Sequence, residues 1–296
     1  MKGAKAIFNW FKQSVLWLWY RRNHIPILNF PIPWRLSYGG WFLIYSDEMG
    51  LNLISRLWQK SRSYEEGELK FVQRFVKPGM ICFDIGANQG FYTVLLSRQV
   101  SLQGKVFAFE PVTSEFRKLK RNIQINRCSS VTVLERMGVS SHEGVADMFV
   151  CLDGHGSRSS MRQPPEEVKA RTKVQKVSMT TLDSYVRKNN ISRIDFIKID
   201  VEGSEIDVLG GGQNVLGALH PVILIEMADV VTQQFGYRAV EVYRFLEDRK
   251  FVLFEVTPTG LLKPARPKDT YRENLIAVPN RKVDMISHLA EETKQP

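Results

Sequence analysis

Cysteine is scarce: Cys82, Cys128 and Cys151 are the three in 296 residues, far apart and without paired spacing. That argues against a disulfide framework, a zinc site or an iron–sulfur cluster, and it suits a reducing compartment. No apolar run reaches the roughly 20 residues that cross a bilayer, so no transmembrane segment is expected. The apolar stretch near the amino terminus has no small-residue cleavage site after it, and a removable signal peptide is not expected either. Internal repeats and low-complexity tracts are also missing.

The rest of the composition is ordinary. With 44% hydrophobic and 24% charged residues, the chain reads as a soluble globular protein of one or two domains with a large core. Its net charge of +10 is unevenly spread: residues 1–60 hold eight Lys/Arg against two Asp/Glu, and residues 61–296 hold 33 against 29. All six tryptophans fall in those first 60 residues. A Trp-rich basic extension is therefore set apart at 1–67, before a regular domain at 68–280 and a polar tail at 281–296. Within the extension, "IFNWFKQSVLWLWYRR" (7–22) places Ile7, Phe8, Phe11, Val15, Leu18 and Trp19 on one helical face. Such a face suits first docking on its own domain or a dimer partner, with an interfacial helix on anionic lipid as the alternative. Residues 26–41, with three prolines and a Gly pair, read as a connecting loop. The expected location is cytoplasmic, with peripheral contact at the inner membrane face as the alternative.

From about residue 68, apolar runs of strand length alternate with helical patterns. Strands are predicted at 80–86, 105–111, 131–139, 194–203, 221–227, 251–256 and 274–279. Helical patterns separate most of them: "FYTVLLSRQV", "SEFRKLKRNIQIN", "TTLDSYVRKNN", "SEIDVLGGGQNVLG" and "AVEVYRFLEDR". The fold class is α/β, a mainly parallel sheet with helices on both faces. The last two strands lack an intervening helix, which permits a terminal antiparallel hairpin across a loop at 257–273. Residues 151–179 interrupt the alternation and read as a strand with a long loop. A loop of that length tends to be functional, and this one is the candidate for substrate contact.

Ligands of open parallel sheets bind beyond the carboxyl ends of the strands. The first strand ends there in "CFDIGANQGFYT" (82–93). Gly86 and Gly90 do not have the three-glycine dinucleotide spacing, and Asn88 stands where the middle glycine would be. A polar side chain at that place suits a ligand rich in hydrogen-bonding groups better than a pyrophosphate. Glu110 closes the second strand twenty residues after Gly90, the spacing at which an acid accepts hydrogen bonds from ribose hydroxyls. Asp84 could face a ligand cation. In "DFIKIDVEGSEIDVLGG" (195–211), Asp200 and Glu202 share a face if the strand continues to that point. Glu205 and Asp207 read as a solvated first helical turn, where acids complement the helix dipole.

In this order "FDIGANQGFYT", "VFAFEP", "TLDSYV", "IDFIKIDVEGSEIDVLGG" and "VILIEM" resemble the FkbM-type S-adenosylmethionine-dependent methyltransferases, over about residues 68–279. The resemblance implies the class I methyltransferase fold, a Rossmann-like seven-stranded sheet with one antiparallel strand, and methyl transfer, usually to oxygen. It implies S-adenosyl-L-methionine as cofactor, with Asp84, Gly86, Asn88 and Gly90 around its methionine part and Glu110 on its ribose. Asp200 would sit near the transferable methyl. The family often has an acid near the adenine where this chain has "GVSSHEG", so Ser140 or Ser141 stands in its place.

Candidates for a base near the acceptor oxygen are Asp200, Glu202, Glu226 and His155. Asp200, Glu202 and Glu226 could instead hold a hard divalent cation, though no metal is assigned. The expected function is O-methylation of a sugar, glycan or small-metabolite hydroxyl. A nucleic-acid methyltransferase and an inactive membrane-associated binding protein are the alternatives. A nicotinamide oxidoreductase is disfavoured by the glycine spacing. No nucleic-acid partner is expected, and a homo-oligomer is left open.

Overall fold

The structure, a computed structural model, describes residues 31–45, 65–151, 159–162 and 172–291. The apolar runs become β3 (Ile81–Ile85), β4 (Lys105–Phe109), β5 (Thr132–Glu135), β9 (Phe196–Ile199), β10 (Val222–Ala228), β11 (Phe251–Val256) and β13 (Arg272–Pro279). With the short β12 (Leu262–Pro264) they form one sheet in the order β12-β11-β13-β10-β9-β3-β4-β5. Strands β5, β4, β3, β9 and β10 run parallel, and β13 enters antiparallel between β10 and β11. This is the class I methyltransferase order with β12 added at one edge, inside the span read as a loop.

Both faces of the sheet are covered, because a parallel strand needs helices on each side. In β3 the alternation sends Cys82 and Asp84 to one face and Phe83 and Ile85 to the other. On the Cys82 face, helices α1 (Glu66–Phe75) and α2 (Phe91–Val100) bury Phe71, Val72, Leu95 and Leu96. On the Phe83 face lie α4 (Leu182–Lys188), α5 (Glu205–Gly210), α6 (Gln213–Leu219) and α8 (Ala239–Asp248). Helix α3 (Thr113–Ile125) follows β4, and the four-residue α7 (Asp229–Thr232) follows β10. The pattern at 204–217 is two helices, broken at Gly211 and Gly212.

Three expectations change. The second half of the stretch read as a loop at 26–41 is a hairpin, β1 (Ile32–Arg35) and β2 (Trp41–Ile44). Phe42 and Ile44 are 1% exposed in the same core layer as α2; burying a phenylalanine contributes about 1.5–3 kcal/mol, which outweighs the turn-like Pro and Gly content. Asn122 Oδ1 on α3 accepts from Leu43 N (2.7 Å). The tail expected at 281–296 is not free through Ala290: two 3-10 segments, Asn280–Lys282 and Asp284–Leu289, bury Ile286 and Leu289 beside α1. Lastly, the strand predicted at 131–139 is split. Beyond β5 the chain turns into β6 (Gly138–Val139), which joins β7 (Gly144–Cys151) and β8 (Thr172–Thr180) in a separate sheet ordered β6-β8-β7.

The amphipathic stretch at 7–22 and His155 lie outside the described residues. Among the described residues, no helix is long and apolar enough to cross a membrane.

Candidate active site

The turn after β3 is built from its own backbone. Gly86 N and Ala87 N both donate to Phe109 O at the end of β4 (3.1 and 2.9 Å), and Gly90 N donates to Ala87 O (2.8 Å). Gly86, Asn88 and Gly90 all have positive φ (81°, 49° and 92°), a region that asparagine tolerates better than most side chains. A Cβ at Gly86 would meet Asp200 O, so this glycine serves the close approach of β3 and β9.

Glu110 fastens the turn to β4. Its Oε2 accepts from Asn88 N (2.9 Å) and its Oε1 from Val112 N (2.7 Å). Burial pushes its carboxyl up to about 8, although the two amides pull the other way. Each oxygen has capacity for a second donor. Asn88 Oδ1 is buried with no hydrogen-bond partner.

Asp84 stands at the next turn of the site, fully buried. Thr93 Oγ1 on α2 donates to its Oδ2 (2.5 Å), while its Oδ1 makes no hydrogen bond and lies 3.9 Å from Lys198 Nζ. Burial raises its carboxyl above the usual range, and Lys198 opposes that. Lys198 is paired across β3 and β9 with Asp84. Its ammonium bonds Asp200 Oδ2 at 2.9 Å and lies 5.3 Å from the centre of the Tyr92 ring. Burial works against its charge, but Asp200 and Asp84 more than offset that and hold its pKa above the ordinary lysine value. Tyr92 OH in turn donates to Glu65 Oε2 (2.5 Å), just ahead of α1.

Glu226, on β10, closes the group from the other side. Its Oε2 is buried and makes no hydrogen bond. Burial first, then the neighbouring Asp200, Glu202 and Glu205, push its carboxyl up to about 10, so it is a neutral acid at pH 7. Asp84, Asp200, Glu202 and Glu226 thus converge at the carboxyl edge. Among the described residues, however, no three His, Cys, Asp or Glu are arranged to hold a metal ion.

The condition that β9 continue to Glu202 is not met. The strand ends at Ile199, and Glu202 (φ 54°) and Gly203 (φ 101°) turn the chain. Asp200 and Glu202 meet Glu226 through a tight turn and not along one strand face. The solvated reading of Glu205 is also overturned: it is 1% exposed. Its Oε1 accepts from Val201 N (3.1 Å) and Gly203 N (3.2 Å), and its Oε2 accepts from Tyr237 OH (3.2 Å). The turn's otherwise unpaired amides need a buried acceptor, and that demand outweighs the preference of a first-turn acid for water. Asp207 does face outward, accepting from Ser141 Oγ (3.2 Å). Ser140 Oγ is buried and unpartnered.

Lys198, Tyr92 and Glu65 were not among the residues read as functional. Lys198 carried a signal, since a lysine in a strand otherwise apolar on both faces must find a buried counter-charge. Of the long loop, Arg162 is described: it donates to Phe235 O (3.0 Å), and the Phe235 ring closes on Gly203. These residues fit an amino-acid nucleoside with a cationic sulfur. Asn88 Oδ1 and Asp84 Oδ1 make no hydrogen bond and can take donors or positive charge, and Glu110 keeps acceptor capacity for hydroxyls.

Comparison with known proteins identifies the family. The family described as Methyltransferase FkbM domain matches residues 84–253. "Methyltransferase 1" of Beauveria bassiana is 26% identical over 167 residues, covering 49% of this chain and 64% of that protein. The chain thus spans less than two thirds of that relative's length. "Hexuronic acid methyltransferase AglP" of Haloferax volcanii is 24% identical over 186 residues, with 61% of this chain and 70% of that protein covered. "2-O-methyltransferase NoeI" of Sinorhizobium fredii is 27% identical over 186 residues, with 55% and 74% covered. The family match takes in more than half of the sequence, and the chain belongs to the FkbM family of S-adenosylmethionine-dependent methyltransferases.

Proposed function

We propose that this protein transfers a methyl group from S-adenosylmethionine to a hydroxyl of a sugar, a glycan or another small metabolite. The observation that carries the reading is the convergence of Asp84, Asp200 and Glu226 beside the turn held by Glu110, all inside or bordering the span matched by the family. Two relatives are named for hexuronic acid and for 2-O-methylation, which supports an oxygen acceptor on a sugar.

When bound, the cofactor supplies an electrophilic methyl on a cationic sulfur. Asp84, Asn88 and the Gly86–Gly90 turn would hold its methionine part, and Glu110 its ribose hydroxyls. Asp200 would take the acceptor's proton, with Glu202 beside it. Glu226, kept neutral, would donate a hydrogen bond to the acceptor and fix its orientation. In-line displacement depends chiefly on such positioning, with reacting atoms held about 3–3.5 Å apart; a base near the oxygen adds roughly a hundredfold or more. In the same proposal the catalytic domain spans 68–280, the loop at 151–179 touches the acceptor, and 7–22 makes any peripheral membrane contact.

Calorimetric titration of the purified protein tests the core of this reading. S-adenosylhomocysteine binds while NADH and RNA do not; the reverse result ends it.

A further inference from the structure

Lys198 lies in β9 between Ile197 and Ile199, and its side chain is 8% exposed. An ammonium removed from water at that depth requires compensation from fixed charge. The groups facing it come from six places: Asp84 on β3, Asp200 after β9, Tyr92 on α2, Glu65 ahead of α1, Glu226 on β10 and Glu110 after β4. Its contacts are unequal. Nζ is 2.9 Å from Asp200 and 3.9 Å from Asp84, and it reaches Gly86 O at 3.4 Å. The ammonium therefore lies against both acids that border the glycine turn, and against the turn itself.

A fully buried carboxylate does not stay ionised without a cation beside it. We infer that Lys198 is a positioning residue of the donor site: its ammonium keeps Asp84 charged, so that a sulfonium is met by an acid already ionised. This inference rests on the proposed donor reading. Hydrogen bonds from Thr93, through its hydroxyl and its backbone amide, are too little to hold a fully buried charge at Asp84. Without Lys198 it takes up a proton, and a cationic ligand must then expel that proton on binding. S-adenosylhomocysteine, whose sulfur is neutral, makes no such demand.

The test is calorimetric titration of the full chain with S-adenosylmethionine and with S-adenosylhomocysteine at pH 6.5, 7.5 and 8.5. Two buffers of different ionisation enthalpy report the protons exchanged. For the wild type we expect the same proton exchange with the two ligands, that of Glu110 included, and a ratio of the two affinities that is constant with pH. For Lys198→Met we expect release of up to about one proton more with S-adenosylmethionine than with S-adenosylhomocysteine, and an affinity for it, relative to S-adenosylhomocysteine, that falls up to about tenfold per pH unit toward acid. Lys198→Arg keeps the wild-type profile. A folded Lys198→Met with a wild-type profile overturns the inference. A wild type that binds neither ligand overturns the donor reading itself, a failure seen without any variant. If Lys198→Met does not fold, Lys198→Met/Asp84→Asn removes both ends of the buried pair. Restored folding supports the assignment, and continued failure overturns it.

Discussion

The carbonyl oxygen of Asp200 occupies the space that a side chain at Gly86 would need: a Cβ there would lie 1.8 Å from it. Gly86 also has φ 81°, so both space and conformation exclude other residues. Gly86→Ala should lower stability by about 2–5 kcal/mol, from backbone strain and overpacking together. Gly217→Ala is the control, because nothing lies within 4 Å of a Cβ there; in helix α6 it should be neutral or stabilise by up to about 1 kcal/mol. Urea unfolding of both variants measures this, and equal midpoints would show that β3 and β9 do not approach so closely.

Glu226 makes stability depend on pH in a stated direction. Its carboxyl is pushed up to about 10 in the folded chain against 4.5 for the ordinary group. Between those values the folded state holds a proton that the unfolded state has lost, so this contribution is complete below about pH 4.5 and is lost as pH rises toward 10. Glu226→Gln stays neutral throughout. Its melting temperature should pull ahead of wild type from pH 6 to pH 9, as read by thermal melts across that range. A variant that instead gained on the wild type toward acid would contradict the burial of this acid.

Glu110 ties the proposed ribose contact to the turn. At pH 9, above the value of about 8 to which burial pushes its carboxyl, Glu110 is mostly charged, and hydrogen bonds to a charged group contribute about 1.5–3 kcal/mol each. Glu110→Ala, which removes both oxygens, should weaken S-adenosylhomocysteine binding by about 100-fold or more. Glu110→Gln keeps one acceptor and should lose about tenfold. Unchanged dissociation constants in calorimetry would remove Glu110 from the donor site.

Glu205 and Asp207 should behave oppositely although a single residue separates them. Glu205→Ala leaves the amides of Val201 and Gly203 without their acceptor and should lower stability by about 2–4 kcal/mol. Asp207→Ala, on the outward side, should stay within about 0.5 kcal/mol of wild type. Chemical denaturation of the two variants decides, and equal effects would mean that Glu205 is as solvated as its neighbour.

The central strands were legible because each is an apolar run of strand length closed by an acid, a glycine or a proline, as at Asp84–Gly86 and Glu110–Pro111. The Gly86, Asn88 and Gly90 turn and Glu110 were legible from spacing to the carboxyl edge. Contacts that depend on distant chain were not. Helix α1 begins around Gly67, which reads as a turn residue, yet a Cβ there would meet Thr257 O at 2.4 Å. Its glycine is required by packing 190 residues away. The Glu65–Tyr92 hydrogen bond likewise has no local signature. The misreading of Glu205 had the same source: a first-turn acid is usually solvated, and the need of the preceding turn for an acceptor appears once that turn is buried.

Strand β13 has a consequence for how the chain is made. It fills the gap between β10 and β11, but among the described residues it follows both of them in the chain. Until residue 279 emerges, β10 and β11 each present an open hydrogen-bonding edge, and unpaired edges recruit foreign strands. A nascent chain stalled before Arg272 should therefore be a client for chaperones and a seed for aggregation, while one released a few residues after Pro279 has its central sheet closed.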